Sequence, residues 1–181
     1  MKKLYVILLT LIISSSCATN KEMRTSGKEL REEKKLAEQV AIRQAVESRR
    51  FIIKLDRLYF SYGGIINLVP RANYIIVDGD IAIVRAAYLG RQFEFKPIAG
   101  INIKGVTSSY EMKDNVSKGL YEIKMKVNNK SNTFDFYLDI GKNGNCSASL
   151  SNIRIDHVRY SGKIVPIKER TTNTYQNIIS I

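Results

Sequence analysis

Apolar residues recur at two different spacings along the chain, and the change falls near residue 50. Before it, Leu30, Leu36, Ala37, Val40, Ala41, Ala45 and Val46 form a thin stripe at helical spacing, with Glu and Lys on the other faces. Ser26-Gly27-Lys28-Glu29 has the Ser-x-x-Glu spacing of a capping box, in which two side chains satisfy free backbone N–H groups at a helix start. The spacing predicts a charged amphipathic helix over 28–48. Its first half is too polar to pack deeply, so docking falls mainly to the second half.

From Phe51 the period is two. Phe51, Ile53, Leu55 and Tyr59 alternate with Lys54, Asp56 and Leu58, up to the break at Tyr62-Gly63-Gly64. Residues 65–68, 74–77 and 81–86 are strand-like, and Asp78-Gly79 joins the last two as a hairpin. Residues 101–106 and 108–113 are expected as two strands. Tyr121, Ile123, Met125 and Val127 share one face, and so do Phe134, Phe136, Leu138 and Ile140 after the Asn128-Asn129 turn. Asn143-Gly144 is a second hairpin signal. Ala148 and Leu150 lie in the next strand. Ile153, Ile155 and His157 alternate with Arg154, Asp156 and Val158 in the last, which ends near Ser161-Gly162. In-and-out alternation means one wet and one buried face, the mark of antiparallel sheets. The expected fold is mainly β (α+β by content): an N-terminal helix, then an antiparallel meander of about seven to nine strands. A sandwich or a partly open barrel accommodates it.

The N-terminus follows different rules. Lys2 and Lys3 precede an apolar run from Leu4 to Ile13, then Ser14-Ser15-Ser16-Cys17, which is the layout of a signal peptide. The run is shorter than the roughly 20 apolar residues that a membrane-spanning helix needs. Small residues before a cysteine resemble the lipobox of bacterial lipoproteins, although Ser14 occupies the place where a large aliphatic residue is usual. The resemblance implies a diacylglycerol on the Cys17 thiol and cleavage before it. Several acyl chains, at about 0.8 kcal/mol per buried methylene, make a durable anchor. Ala18 stands where an Asp resembles an inner-membrane retention signal, so the outer membrane is expected, facing the periplasm. The chain then divides into a signal peptide (1–16), a lipidated tether (17–27), the helix (28–48), an antiparallel β-domain (49–165) and a C-terminal extension (166–181).

Charge and composition narrow the partners. The 181 residues carry a net charge of +12, and removing Lys2 and Lys3 leaves +10. For an exported chain this favours an anionic lipid, a glycolipid or an envelope protein as partner, besides the membrane itself, over nucleic acid. With Cys17 lipidated, Cys146 has no partner for an intramolecular disulfide.

Residues 45–51, Ala-Val-Glu-Ser-Arg-Arg-Phe, with Asp56-Arg57 resemble the opening of the domain of unknown function 4251 family. So do Ile66-Asn67-Leu68, Tyr74, Val77-Asp78-Gly79-Asp80, Tyr88-Leu89-Gly90-Arg91 and Tyr160-Ser161-Gly162-Lys163-Ile164. The resemblance covers residues 34–165. It implies a lipoprotein of Bacteroidetes-type bacteria and no established activity. Ala99-Gly100 stands where the family has a glycine-rich stretch.

Catalytic signatures are sparse. The chain lacks a Gly-x-Ser-x-Gly elbow, a P-loop and a His-Glu-x-x-His helix. Its one histidine, His157, falls on the face of Ile153 and Ile155 and is expected in the core or at an edge. Too few His and Cys are present for a zinc site, and no cofactor is implied. Asp78 and Asp80 flank Gly79 as a turn requires. The candidate ligand-binding residues are the aromatics near glycines and loops, Tyr59, Tyr62, Tyr88, Phe93 and Phe95, together with Arg91. The leading expectation is a non-enzymatic envelope lipoprotein that binds a ligand or partner. A structural or assembly lipoprotein docking through the charged helix ranks second, and a hydrolase built on a carboxylate pair ranks last.

Overall fold

A computed structural model describes residues 19–59, 63–88, 100–130, 132–153 and 155–167. One helix, α1 (Thr19–Glu47), precedes nine strands among these residues. They are β1 (Arg50–Tyr59), β2 (Ile65–Asn67), β3 (Tyr74–Asp78), β4 (Ile81–Ala86), β5 (Ile101–Asn115), β6 (Leu120–Asn129), β7 (Asn132–Gly141), β8 (Asn145–Asn152) and β9 (Ile155–Pro166). Neighbours pair antiparallel in the order β2-β1-β3-β4-β5-β6-β7-β8-β9, and β9 pairs back onto β1. The outcome is a closed eight-stranded barrel of β1 and β3–β9 with β2 as one extra strand, rather than a sandwich or a partly open barrel. Closure satisfies the backbone groups that an open meander leaves bare at its two ends.

The inward side chains follow from alternation. Phe51, Ile53, Leu55, Ile75, Val77, Val84, Ile103, Ile123, Met125, Phe136, Leu138, Ile140 and Tyr160 belong to one buried cluster. An eight-stranded barrel has an interior just wide enough for side chains to fill. Each large apolar side chain buried this way contributes about 1.5–3 kcal/mol.

The chain divides into one unit up to Ala37 and a second from Glu38 onward. Residues 28–40 of α1 are exposed, Leu30, Leu36 and Val40 included. The last turns of α1 belong to the barrel unit, where Ile42, Ala45 and Val46 join the interior cluster. They meet the end that carries the β3–β4, β5–β6 and β7–β8 turns. There the Tyr110 hydroxyl donates to the Val46 carbonyl at 2.9 Å, as a second donor beside Arg49 N–H at 3.2 Å, and ties the helix end to β5. Arg49 then reverses the chain at a left-handed φ of 56°, a helix-ending position that usually takes glycine. Its guanidinium lies 4.8 Å from the Tyr110 ring centroid and 3.5 Å from Asp80, contacts that a glycine lacks.

Four features depart from the periodic reading. The helix begins at Thr19, so residues 19–27 are helical and not a tether; the Ser26 capping signal is passed over because helix-forming residues lie on both sides of it. Residues 101–115 form one long strand, because the irregularity between Thr107 and Ser109 is a bulge and not a turn. β9 runs on to Pro166, held by its pairing with the start of β1. The alternation also slips twice. In β9 the register shifts between Leu150 and Asn152 of its partner, so Ile155, Val158 and Tyr160 are buried while Ile153 and His157 are exposed. His157 is therefore not a core residue. In β1 the slip falls at Asp56, an extra residue between the pairs Leu55↔Gly162 and Arg57↔Ser161. Leu58 consequently points inward and Tyr59 outward, opposite to strict alternation.

β2 and β3 lie along the same side of β1. Between the pairs Arg57↔Asn67 and Lys54↔Tyr74, β1 advances three residues and its partner seven. The surplus forms the 68–73 loop, pinned by buried Asn73. Its amide donates to the Val69 carbonyl at 2.9 Å and its side-chain oxygen accepts from Ala87 N–H at 2.7 Å. A second, smaller apolar cluster of Ile52, Ile76 and Ile167 lies on the other side of the wall, with Tyr74 and Ile83 against it.

The bulge depends on glycine. A Cβ at Gly162 would overlap the Lys54 carbonyl oxygen and press on Leu55 Cα. Backbone cannot yield as a flexible side chain does. The Gly162→Ala variant should lose about 3 kcal/mol or more of stability, lowering the melting midpoint by roughly 6–12 °C in a circular-dichroism melt. An unchanged midpoint would show that the bulge relaxes freely.

Candidate functional site

The bulge at Asp56 sets polar side chains together on the outer wall. Arg57 and Tyr59 of β1 pair in register with Ser161 and Arg159 of β9, and the bulged Asp56 lies beside Ser161. The Tyr59 hydroxyl donates to Ser161 Oγ at 3.4 Å, and Ser161 Oγ donates to an Asp56 carboxylate oxygen at 2.8 Å. The Arg159 guanidinium lies 4.7 Å from the centroid of the Tyr59 ring, a cation–π contact worth about 0.5–1 kcal/mol at an exposed site. Arg57 and Arg159 are exposed, whereas Asp56, Tyr59 and Ser161 are half-buried. The carboxylate is occupied by Ser161, and the two guanidinium groups face outward beside an aromatic ring.

Electrostatics at Tyr59 follow from this grouping. As a phenol it donates to Ser161. As a phenolate it accepts from Ser161 and Arg57 and sits beside the charges of Arg57 and Arg159. These interactions, the Ser161 contact foremost, hold its pKa below the ordinary tyrosine value.

The cluster continues around the wall. The register runs Ile65–Tyr59–Arg159–Ser149–Tyr137 across β2, β1, β9, β8 and β7. Tyr137 is 50% exposed and borders an open groove of about 110 Å³ shared with Ser109, Glu111, Lys124, Lys126 and Asp135. This strip is wet, of mixed charge and carries two tyrosine rings.

Of the sequence-derived candidates, Tyr59 stands in the cluster on the outer wall. Tyr88 is 2% exposed and belongs to the interior cluster, so the barrel wall separates the two. Cys17, Tyr62, Arg91, Phe93 and Phe95 lie outside the described residues. Arg57, Arg159, Ser161 and Asp56 were not singled out. The signal for them was the three-residue spacing of Leu55 and Leu58 in a period-two strand, which marks a bulge. Cys146, near the bulge, is buried, and its thiol is pushed up to about 12 by burial and then by the charge of Asp56. No described helix is long and apolar enough to cross a membrane.

Comparison with known proteins agrees with this layout. Residues 33–164 match the family described as a domain of unknown function, DUF4251. The chain belongs to the DUF4251 family. The crystal structure of a DUF4251 family protein from Bacteroides eggerthii DSM 20697 superposes with a TM-score of 0.63 at 13% sequence identity, covering 78% of this chain and 94% of that one. At that identity the likeness is one of fold. Comparison with curated proteins finds no match. Within the DUF4251 boundaries the family-like segments Asp56-Arg57 and Tyr160–Ile164, distant in sequence, are the two sides of the bulge.

The electrostatic reading can be measured. In a tyrosine absorbance titration, the difference between the native protein and the Tyr59→Phe variant should show one phenol ionising below pH 10. Replacing Arg57 and Arg159 by Ala should move that ionisation upward, because the phenolate loses two neighbouring positive charges. A Tyr59 that titrates at the ordinary value in both backgrounds would show that the guanidinium groups do not reach it.

Proposed function

We propose that this DUF4251 chain is an exported lipoprotein, anchored through acyl groups on Cys17, whose barrel binds an envelope partner or ligand on its outer wall without catalysing a reaction. The anchoring part rests on the signal-peptide layout and the residues before Cys17. The outer membrane, with the barrel facing the periplasm, is the location this reading favours. The binding part rests on one observation: Arg57, Arg159 and Tyr59 converge on the open wall at a β-bulge, while the inward positions are taken by packed apolar side chains. Bulges commonly re-aim side chains beside functional sites, and Arg and Tyr are the residues that carry most binding energy at interfaces. A second reading, docking through α1, is favoured by the exposure of Leu30, Leu36 and Val40, at 68%, 63% and 54%.

Two measurements test these statements. Palmitate fed to expressing cells should label the native chain and leave Cys17→Ser unlabelled; label on both would remove the anchor from Cys17. A photoreactive residue at position 159 should cross-link a partner in intact cells, whereas one at position 104, on the exposed face of β5, should not. Cross-linking confined to position 36 would favour the helix instead, and equal yields at 159 and 104 would dispose of a specific wall site.

A further inference from the structure

β2 stands outside the ring of eight strands. Among the described residues it pairs with β1 alone, so its far side is an unpaired strand edge there. The backbone direction can be worked out. Leu68 N–H donates to the Asp56 carbonyl at 2.8 Å, and backbone groups alternate sides along an antiparallel strand. Ile66 therefore faces β1, and the N–H and C=O groups of Ile65 and Asn67 face away. Natural edges are usually blunted by charge, proline or a bulge within the strand. Ile65-Ile66-Asn67 is short, which itself limits an edge, but carries no charge, proline or bulge, and Ile65, Ile66 and Val69 are 60%, 37% and 64% exposed.

Positive charge prevails around this edge, where the one neighbouring carboxylate, Asp56, is half-buried and bonded to Ser161. From Arg57 to Val77 the chain holds two arginines and not one acidic residue. Arg57 pairs in register with Asn67, and Arg159 stands one strand further, opposite Tyr59, which pairs with Ile65. Arg57, Arg71 and Arg159 are all exposed. A second copy would bring the same arginines against them on a chain of net charge +12, which disfavours self-pairing.

We infer that the β2 edge takes up an extended segment of a partner protein by strand addition, and that this segment alternates acidic and apolar residues. Main-chain hydrogen bonds from Ile65 and Asn67 would hold it, and alternate side chains would set its specificity. Residues on the outer side of the added strand lie two strand spacings, about 9–10 Å, from β1, where Arg57 can lean past Asn67 to a carboxylate. Residues on the other side meet Ile66. The inference rests on the partner-binding reading above and assigns it a partner class.

The test uses the full chain with two labelled hexapeptides, Glu-Val-Glu-Val-Glu-Val and Lys-Val-Lys-Val-Lys-Val, followed by fluorescence anisotropy. The acidic peptide should bind at least tenfold more tightly than the basic one. Asn67→Pro should weaken it by at least tenfold while leaving the melting midpoint unchanged, because a proline whose missing N–H faces away from β1 is tolerated at an edge. Arg57→Ala should reduce the preference for the acidic peptide. Absent or equal binding of the two peptides, or undiminished binding to a folded Asn67→Pro variant, would overturn the proposal. So would a dimer in sedimentation that Asn67→Pro dissociates, since the occupant would then be a second copy. Cross-linking at position 159 separates the two levels. Adducts that persist in Asn67→Pro would sink the edge alone, and their absence from the native protein would sink the wall reading itself.

Discussion

The pairing of β1 with β9 is the interaction on which this fold turns. Every other strand contact joins neighbours in sequence or spans only the 60–73 connection, whereas β1–β9 brings together residues about one hundred positions apart. It turns a meander with two bare ends into a barrel whose apolar face is enclosed. A closure of this kind has to match the strand stagger around the whole circumference. At the closing seam the strands are adjusted where Asp56 is inserted opposite the Ser161-Gly162 step. Only glycine can stand at 162, because the bulged backbone passes within contact of its Cα.

The same insertion decides what each face presents. Beyond Asp56 the side chains of β1 exchange sides, so that Leu58 seals the interior while Arg57 and Tyr59 enter solvent beside Arg159 and Ser161. It also turns the Asp56 carbonyl toward Leu68 N–H, which keeps β2 on the wall after the main sheet has closed. The structural device and the candidate binding surface are thus one local feature. A single extra residue at the closing seam turns Arg57 and Tyr59 outward beside Arg159 and lies next to a short strand edge.

The opposite end of the barrel is held by different chemistry. There α1 delivers Ile42, Ala45 and Val46 to the interior, and the Tyr110 hydroxyl joins Arg49 N–H on the Val46 carbonyl. Arg49 accepts a strained backbone, about 1–2 kcal/mol for a non-glycine residue in that region, in exchange for its stack on Tyr110 and its contact with Asp80. The polar first half of the helix follows from its sequence, since a stripe this thin leaves residues 28–40 exposed.

The sequence by itself determined what local physics controls. Period-two runs placed most strands, the glycine-bearing turns at Asp78-Gly79 and Asn143-Gly144 placed two hairpins, and the polar helix announced its weak docking. The family was legible from short segments, among them Asp56-Arg57 and Tyr160–Ile164, which the fold sets on the two sides of the bulge. Tertiary structure decided the rest. Whether the meander closes depends on a contact between its two ends, which no local window contains. The phase of β1 after Asp56 and of β9 before Val158 depends on bulges, and a bulge is a property of two paired strands, not of one. Tyr59 therefore stands on the face opposite to strict alternation, His157, expected in the core or at an edge, is exposed, and the arginines that flank Tyr59 become visible only once β9 lies beside β1.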